Sequence, residues 1–146
     1  MTTAASSSAV LPPTHVDLLT RPIVGVLTTL MPDGQPQSSL VWVDHDGVCA
    51  RTNTTLERQK GRNLVADPQV SLLVVDPEDT SRFVQVRGDA ELVRDGAEAH
   101  LDGLTRAYTS HPTFYGHVYP VEQRDRETRV IVRIHARRVT LDAIHR

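Results

Sequence analysis

The residues best suited to chemistry lie in one stretch of the 146-residue chain, Arg51-Thr52-Asn53-Thr54-Thr55-Leu56-Glu57-Arg58-Gln59-Lys60-Gly61-Arg62-Asn63-Leu64. A strand ends there in hydroxyl and amide side chains and a helix begins, with Arg58, Lys60 and Arg62 in its first two turns. Unpaired N–H groups at a helix start attract anions, and the helix macrodipole adds to that attraction. Arginine offers phosphate oxygens a planar fork and lysine a point charge, while the Thr52 and Thr54 hydroxyls can donate to the oxygens that remain. The pattern reads as a phosphate clamp. The competing reading is an ordinary solvated helix face, with Glu57 as a local partner for the arginines and Thr54 as a helix cap. Lys60 stands out within it: of 16 basic residues it is the one lysine, and the other fifteen are arginine.

The rest of the chain offers weaker chemistry. Among seven histidines, His111 and His117 are six apart, His45 falls in a turn and His100 on a helix. None makes the short paired spacing of a zinc site, so no metal is expected. The single cysteine, Cys49, excludes an intramolecular disulfide, reads as a small core residue and points to a reducing, cytoplasmic setting. Trp42 reads as barrel core or pocket wall. Tyr108, Phe114, Tyr115 and Tyr119 gather where they could cover a partner subunit's pocket or close a barrel mouth. No nucleophile stands beside a base, and no catalytic residue is assigned. A net charge of -2 gives no footprint for nucleic acid. No run approaches the roughly 20 apolar residues of a membrane span, and Met1–Val10 lacks the charged and apolar segments of a signal peptide.

Domains cluster at about 100–150 residues, so one domain is expected, with residues 1–14 as a disordered tail and 15–146 as the folded unit. His15–Arg21 suggests a short opening helix. Ile23–Leu30 and Gln37–Val43 are β-branched runs on either side of Asp33-Gly34, a strong hairpin signal. Asp46-Gly47 repeats it before Val48–Asn53, which predicts a three-stranded meander. Thr54 and Glu57 fit a capping box opening a helix that ends before Pro68. Gln69–Val75 is a nearly continuous apolar strand, and Arg82–Val93 alternates around Gly88, a bend or bulge. Asp95–Tyr108 is the clearest helix, with Ala97, His100, Leu101, Leu104 and Tyr108 on one face. Thr128–His135 and Arg137–Leu141 close the chain as two strands. Six or seven mainly antiparallel strands with two to three helices make an α+β fold, a small barrel or strongly curved sheet. Side chains fill so small a barrel, so a ligand is expected outside it, between subunits.

The order of these pieces resembles the pyridoxamine 5'-phosphate oxidase-like split β-barrel family of flavin and deazaflavin proteins, over about residues 15 to 142. The resemblance is carried by Gly25-Val26-Leu27-Thr28-Thr29, Asp33-Gly34-Gln35-Pro36-Gln37-Ser38-Ser39, Arg51-Thr52-Asn53, Arg58-Gln59-Lys60-Gly61-Arg62-Asn63-Leu64, Ala66-Asp67-Pro68-Gln69-Val70-Ser71-Leu72-Leu73 and Val86-Arg87-Gly88-Asp89-Ala90-Glu91-Leu92. It implies a homodimer with cofactor at the subunit interface. Arg58, Lys60 and Asn63 would hold the phosphate region, with Thr52 beside it, and Asn53 would also bind the cofactor. Gln37, Ser38 and Ser39 would face the ring. The Arg-x-Lys-x-x-Asn helix, the compact length and the arginine-rich composition resemble the actinobacterial branch that uses the deazaflavin F420. FMN-binding members commonly have the two basic residues adjacent, whereas Gln59 separates them here. The longer pyridoxamine phosphate oxidases carry a C-terminal substrate segment beyond the position of Ile144-His145-Arg146, so that reaction is not expected. The resemblance implies an F420H2-dependent reductase passing a hydride to a conjugated small molecule. The alternatives are an FMN-dependent oxidoreductase or a noncatalytic cofactor-binding or storage protein.

Overall fold

Two glycine turns set up the first half of the molecule. The computed structural model describes residues 9–145. Helix α1 (Asp17–Thr20) leads into β1 (Gly25–Leu30) and β2 (Pro36–Val41), joined by a turn in which Gly34 takes a φ of 87°. Asp33 accepts the Gln35 N–H at 3.0 Å and holds that turn. After β3 (Asp44–His45), Gly47 takes a φ of 95° and the chain returns as β4 (Ala50–Thr55). Glycine suits both turns because it alone carries no Cβ to oppose a positive φ. Then follow α2 (Gln59–Ala66), β5 (Gln69–Val75), β6 (Phe83–Val93), α3 (Ala97–Tyr108), a 3-10 helix (Val121–Arg126) and β7 (Arg129–Leu141).

The seven strands form one antiparallel sheet in the order β2-β1-β5-β6-β7-β4-β3, the α+β antiparallel architecture expected. The sheet curls around Leu18, Leu27, Leu72, Val74, Val84, Val132 and Ile134, each at most 1% exposed. The first hairpin is as expected, but the meander is not. The run Gln37–Val43 breaks after Val41, and only Asp44 and His45 pair with β4, opposite Arg51 and Ala50. β2 and β4 therefore do not pair, and lie near opposite ends of the strand order. What crosses this split is a side chain: the Thr52 hydroxyl donates to the Trp42 carbonyl at 2.7 Å.

Two more expectations change. Thr54 does not cap a helix, because β4 runs through Thr55 by pairing Thr54 with Val130 and Thr55 with Arg129. The α2 helix starts four residues later, with Arg58 at its N-cap position, and the Thr55 hydroxyl accepts the Arg58 N–H at 3.1 Å. Glu57 reaches across instead and accepts the Thr128 N–H at 2.7 Å. The two closing strands are one 13-residue strand, β7, whose register against β6 shifts by a residue beside Gly88. Residues 1–8 of the expected tail lie outside the described residues. Ala9 already bonds to the Ala136 carbonyl at 3.2 Å and Leu11 packs on the core. Among the described residues no helix is long and apolar enough to cross a membrane.

Candidate functional site

The split between β2 and β4 opens into a cleft of about 360 Å³. Leu40 and Trp42 form one side, Thr52 and Asn53 the other, and Leu101, Leu104 and Phe114 close the far wall. Trp42 stacks on Tyr108 at 5.5 Å and meets Phe114 edge-on at 6.3 Å, so the aromatic wall is braced from behind. Tyr108 fixes both ends of that wall, since its hydroxyl accepts the Val43 N–H at 2.9 Å and lies 2.8 Å from the Ile23 carbonyl.

Three cations reach the cleft: Arg58, Lys60 and Arg129. Lys60 approaches because α2 rests directly on the end of β4. A Cβ at Gly61 would lie 1.9 Å from the Thr55 carbonyl oxygen, so only glycine permits this closeness. The Lys60 ammonium donates to the Ser39 hydroxyl at 3.3 Å and has no carboxylate partner among the described residues. Burial, and then the charges of Arg58 and Arg129, hold its pKa below the ordinary lysine value. Arg129 is enclosed, its side chain 7% exposed. Its guanidinium lies 4.9 Å from the centre of the Phe114 ring and donates to the Tyr115 hydroxyl at 2.9 Å and to Glu127 at 3.0 Å. Tyr115 in turn donates to Glu127 at 2.6 Å, and burial pushes its phenol pKa up. Arg58, the most open, sits 3.5 Å from the same carboxylate. Glu127 is thus shared by two of the three cations and Lys60 is left without a counterion, an arrangement suited to a bound anion.

The expected site residues separate into groups. Arg58, Lys60, Thr52 and Asn53 line the cleft together, and Ser39 touches it through Lys60. Thr52 is 1% exposed and its proton is committed to Trp42, so it ties the split rather than donating to a ligand. Asn53 donates to the Ala97 carbonyl at 2.9 Å and to His100 Nδ1 at 3.0 Å, and accepts from Arg129 at 3.3 Å. Because the amide can only donate to Nδ1, the His100 proton sits on Nε2 and is given to Asp44 at 3.1 Å. His100 thereby fastens α3 to β3 and β4. On β2, Gln37 and Ser39 pair with the inward Thr29 and Leu27, whereas Ser38 pairs with Thr28 on the opposite face. The three side chains therefore cannot face one ring together. Gln37 Oε1 is buried with no donor. Asn63 lies elsewhere: 2% exposed, it donates to Thr29 at 3.0 Å and accepts from Gln59 at 2.8 Å. It borders a separate groove with Met31, Pro32 and Arg62. Thr54, the other hydroxyl of the expected clamp, is fully buried in the sheet.

Arg129 was hidden in the sequence. Its strand alternates Arg129, Ile131, Arg133 against Val130, Val132, Ile134, and alternation alone gives no reason to separate Arg129 from Arg133, which pairs with Asp46 and Glu91 away from the cleft. The pairing of Arg129 with Thr55 brings it beside the basic helix.

Residues 11–141 match the sequence family described as pyridoxamine 5'-phosphate oxidase. The chain belongs to that family. Among solved structures it is similar to a protein from Mycobacterium smegmatis named F420 reductase, with 34% identity, 89% of this chain and 98% of that one covered and a TM-score of 0.75. A conserved hypothetical protein from Mycobacterium tuberculosis is 28% identical over 92% of this chain and 86% of that one, with a TM-score of 0.66. A heme binding protein from Mycobacterium smegmatis, 23% identical, shares the fold over 91% of this chain and 55% of that one, with a TM-score of 0.58. No match was found among curated proteins. The family's split-barrel fold is the one described above.

Proposed function

We propose that this protein is a cytoplasmic, homodimeric F420H2-dependent reductase acting on a conjugated small molecule. The observation that carries the reading is the excess of cations in the aromatic-walled cleft: Arg58, Lys60 and Arg129 against the single carboxylate of Glu127. Likeness to a protein named F420 reductase favours the deazaflavin over FMN. The residues present fit such a cofactor. A phosphate would supply the charge that Lys60 lacks, and a flat ring would lie against Trp42 and Phe114.

When bound, reduced F420 supplies the hydride, and the protein supplies position and electrostatics. Lys60 and Arg58 neutralise phosphate charge. Arg129 is held rigid by Tyr115, Glu127 and Asn53, so its orientation costs little on binding. Leu101, Leu104 and Phe114 exclude water from the far wall. No carboxylic acid or histidine is among the cleft-lining residues, and the proton that follows the hydride is assigned to solvent.

Equilibrium titration of F420 and FMN side by side tests this reading. F420 binds at micromolar or tighter affinity, and Lys60→Ala weakens it by about 1.5–3 kcal/mol through loss of a charge-assisted contact. Unchanged affinity in that variant removes the phosphate role. A yellow protein carrying flavin after expression selects FMN instead. Tight binding without turnover across quinones, enones and tetrapyrroles selects a storage protein. Light scattering checks the dimer.

A further inference from the structure

A second concentration of positive charge lies on the outer face of the sheet, and none of its residues lines the cleft described above. It originates in the irregularity of β7. Ala136 and Val139 both border the interior with Val86 and Ile134. Strict alternation would place one outward residue between each inward pair, yet two stand between these. The register slips by one residue between the pairs Arg87–Arg138 and Gly88–Ala136, so Arg137 and Arg138, adjacent in sequence, both face outward. Gly88 makes the slip possible, because a Cβ there would lie 2.0 Å from the His135 carbonyl oxygen.

The result is a shallow cleft of about 370 Å³ lined by Arg87, Arg137 and Arg138 together with Thr28, Gln69 and Ser71. Arg137 contacts the Asp89 carboxylate. Arg87 and Arg138 stand directly opposite each other on neighbouring strands, and neither has a carboxylate partner among the described residues. Like charges placed so destabilise a sheet, which an anion between them would reverse. The Ser71 hydroxyl accepts from Gln85 at 3.1 Å, leaving its own proton to give.

We propose that this cleft is a second binding site, taking a multivalent oxyanion between the guanidinium forks of Arg87 and Arg138, with the bulge as the device that builds it. The chemistry is common to phosphate esters and polycarboxylates, and pyrophosphate and citrate serve as probes for the two. Each is titrated into full-length Lys60→Gln protein, so that a failure of the first cleft leaves this test intact. The Nε–Hε resonances of Arg87 and Arg138 shift with saturable binding, and whichever probe binds more tightly identifies the natural ligand's class. The Arg87→Gln/Arg138→Gln variant, made in the same background, binds that probe at least about tenfold more weakly. Free of ligand and at low salt, it is at least as stable to urea as its parent, because repulsion has been removed. Affinity unchanged by the double substitution overturns the proposal. So does a loss of ligand-free stability, which would make the arginines structural. Arginine resonances that respond to neither anion, as when a second copy of the chain covers this face, overturn it too.

Discussion

Charge is handled in opposite ways at the two ends of this molecule. Around Asp142, where the first and last described segments pack together, His15, Asp17, Asp76, Arg82 and His145 all have ionic partners. Asp142, 3% exposed, accepts from His15 at 2.7 Å, from the Phe83 N–H at 3.2 Å and from the His145 N–H at 2.7 Å. Nearby, Arg82 bonds both Asp17 and Asp76. At the cleft, by contrast, Glu127 is shared by Arg58 and Arg129 while Lys60 has only a hydroxyl. A charge partnered by the protein serves folding, whereas a charge left without a counterion is available to something that binds. The difference predicts that substitutions at the first site cost stability and those at the second cost affinity.

The sharpest test of the first half is His15→Ala. His15 is fully buried, and its removal strips the Asp142 carboxylate of a partner at a cost of about 3 kcal/mol, read by urea denaturation. The same pair sets an acid limit. Burial opposes ionisation of Asp142, but the bonds from His15, His145 and Phe83 outweigh it and hold its pKa well below the usual carboxylate range. A depressed carboxylate pKa stabilises the native state fully above its unfolded value of about 3.9, and that contribution is lost as pH falls toward the folded value. Stability therefore declines with acidification below about pH 4, and His15→Ala flattens that decline.

Lys60→Ala is the matching test at the cleft. Beyond the weakened cofactor binding described above, its own folding stability changes by less than about 0.5 kcal/mol, since the lysine has no carboxylate to abandon. A larger loss would break the contrast between the two regions. Tyr115→Phe falls between them. It removes one bond each from Arg129 and Glu127, lowering stability by about 1 kcal/mol and loosening Arg129, so cofactor affinity falls with it. The smallest effect belongs to Arg124→Ala. Its pair with Glu98 at 3.1 Å is about half exposed on both sides, and thermal unfolding should register less than about 0.5 kcal/mol.

What the sequence revealed follows the range of the interactions involved. The first hairpin, β5, β6 and α3 are written in local periodicity and turn chemistry, and the buried face of α3 includes the expected Ala97, His100, Leu101 and Leu104. The split between β2 and β4 is written nowhere locally. It depends on β4 choosing β7 as its long partner, a contact across some eighty residues that also draws Thr54 and Thr55 into a strand and defeats the capping box. The basic helix was visible for the same reason that Arg129 was not: Arg58 and Lys60 are neighbours in sequence, while Arg129 joins them only through that pairing. Asn63 lies one turn on in the same helix as Lys60, but its amide is taken up by Thr29 and Gln59 and does not line the cleft.

Lys60 also gives the protein a reporter of its own. Its ε-amine is the only one in the chain, and desolvation beside two arginines leaves more of it unprotonated at a given pH than an ordinary lysine. An amine-selective acylating reagent therefore has one side-chain amine to modify, placed inside the cleft. Mass spectrometry of the extent of acylation, with and without cofactor, would read site occupancy directly without any engineered label.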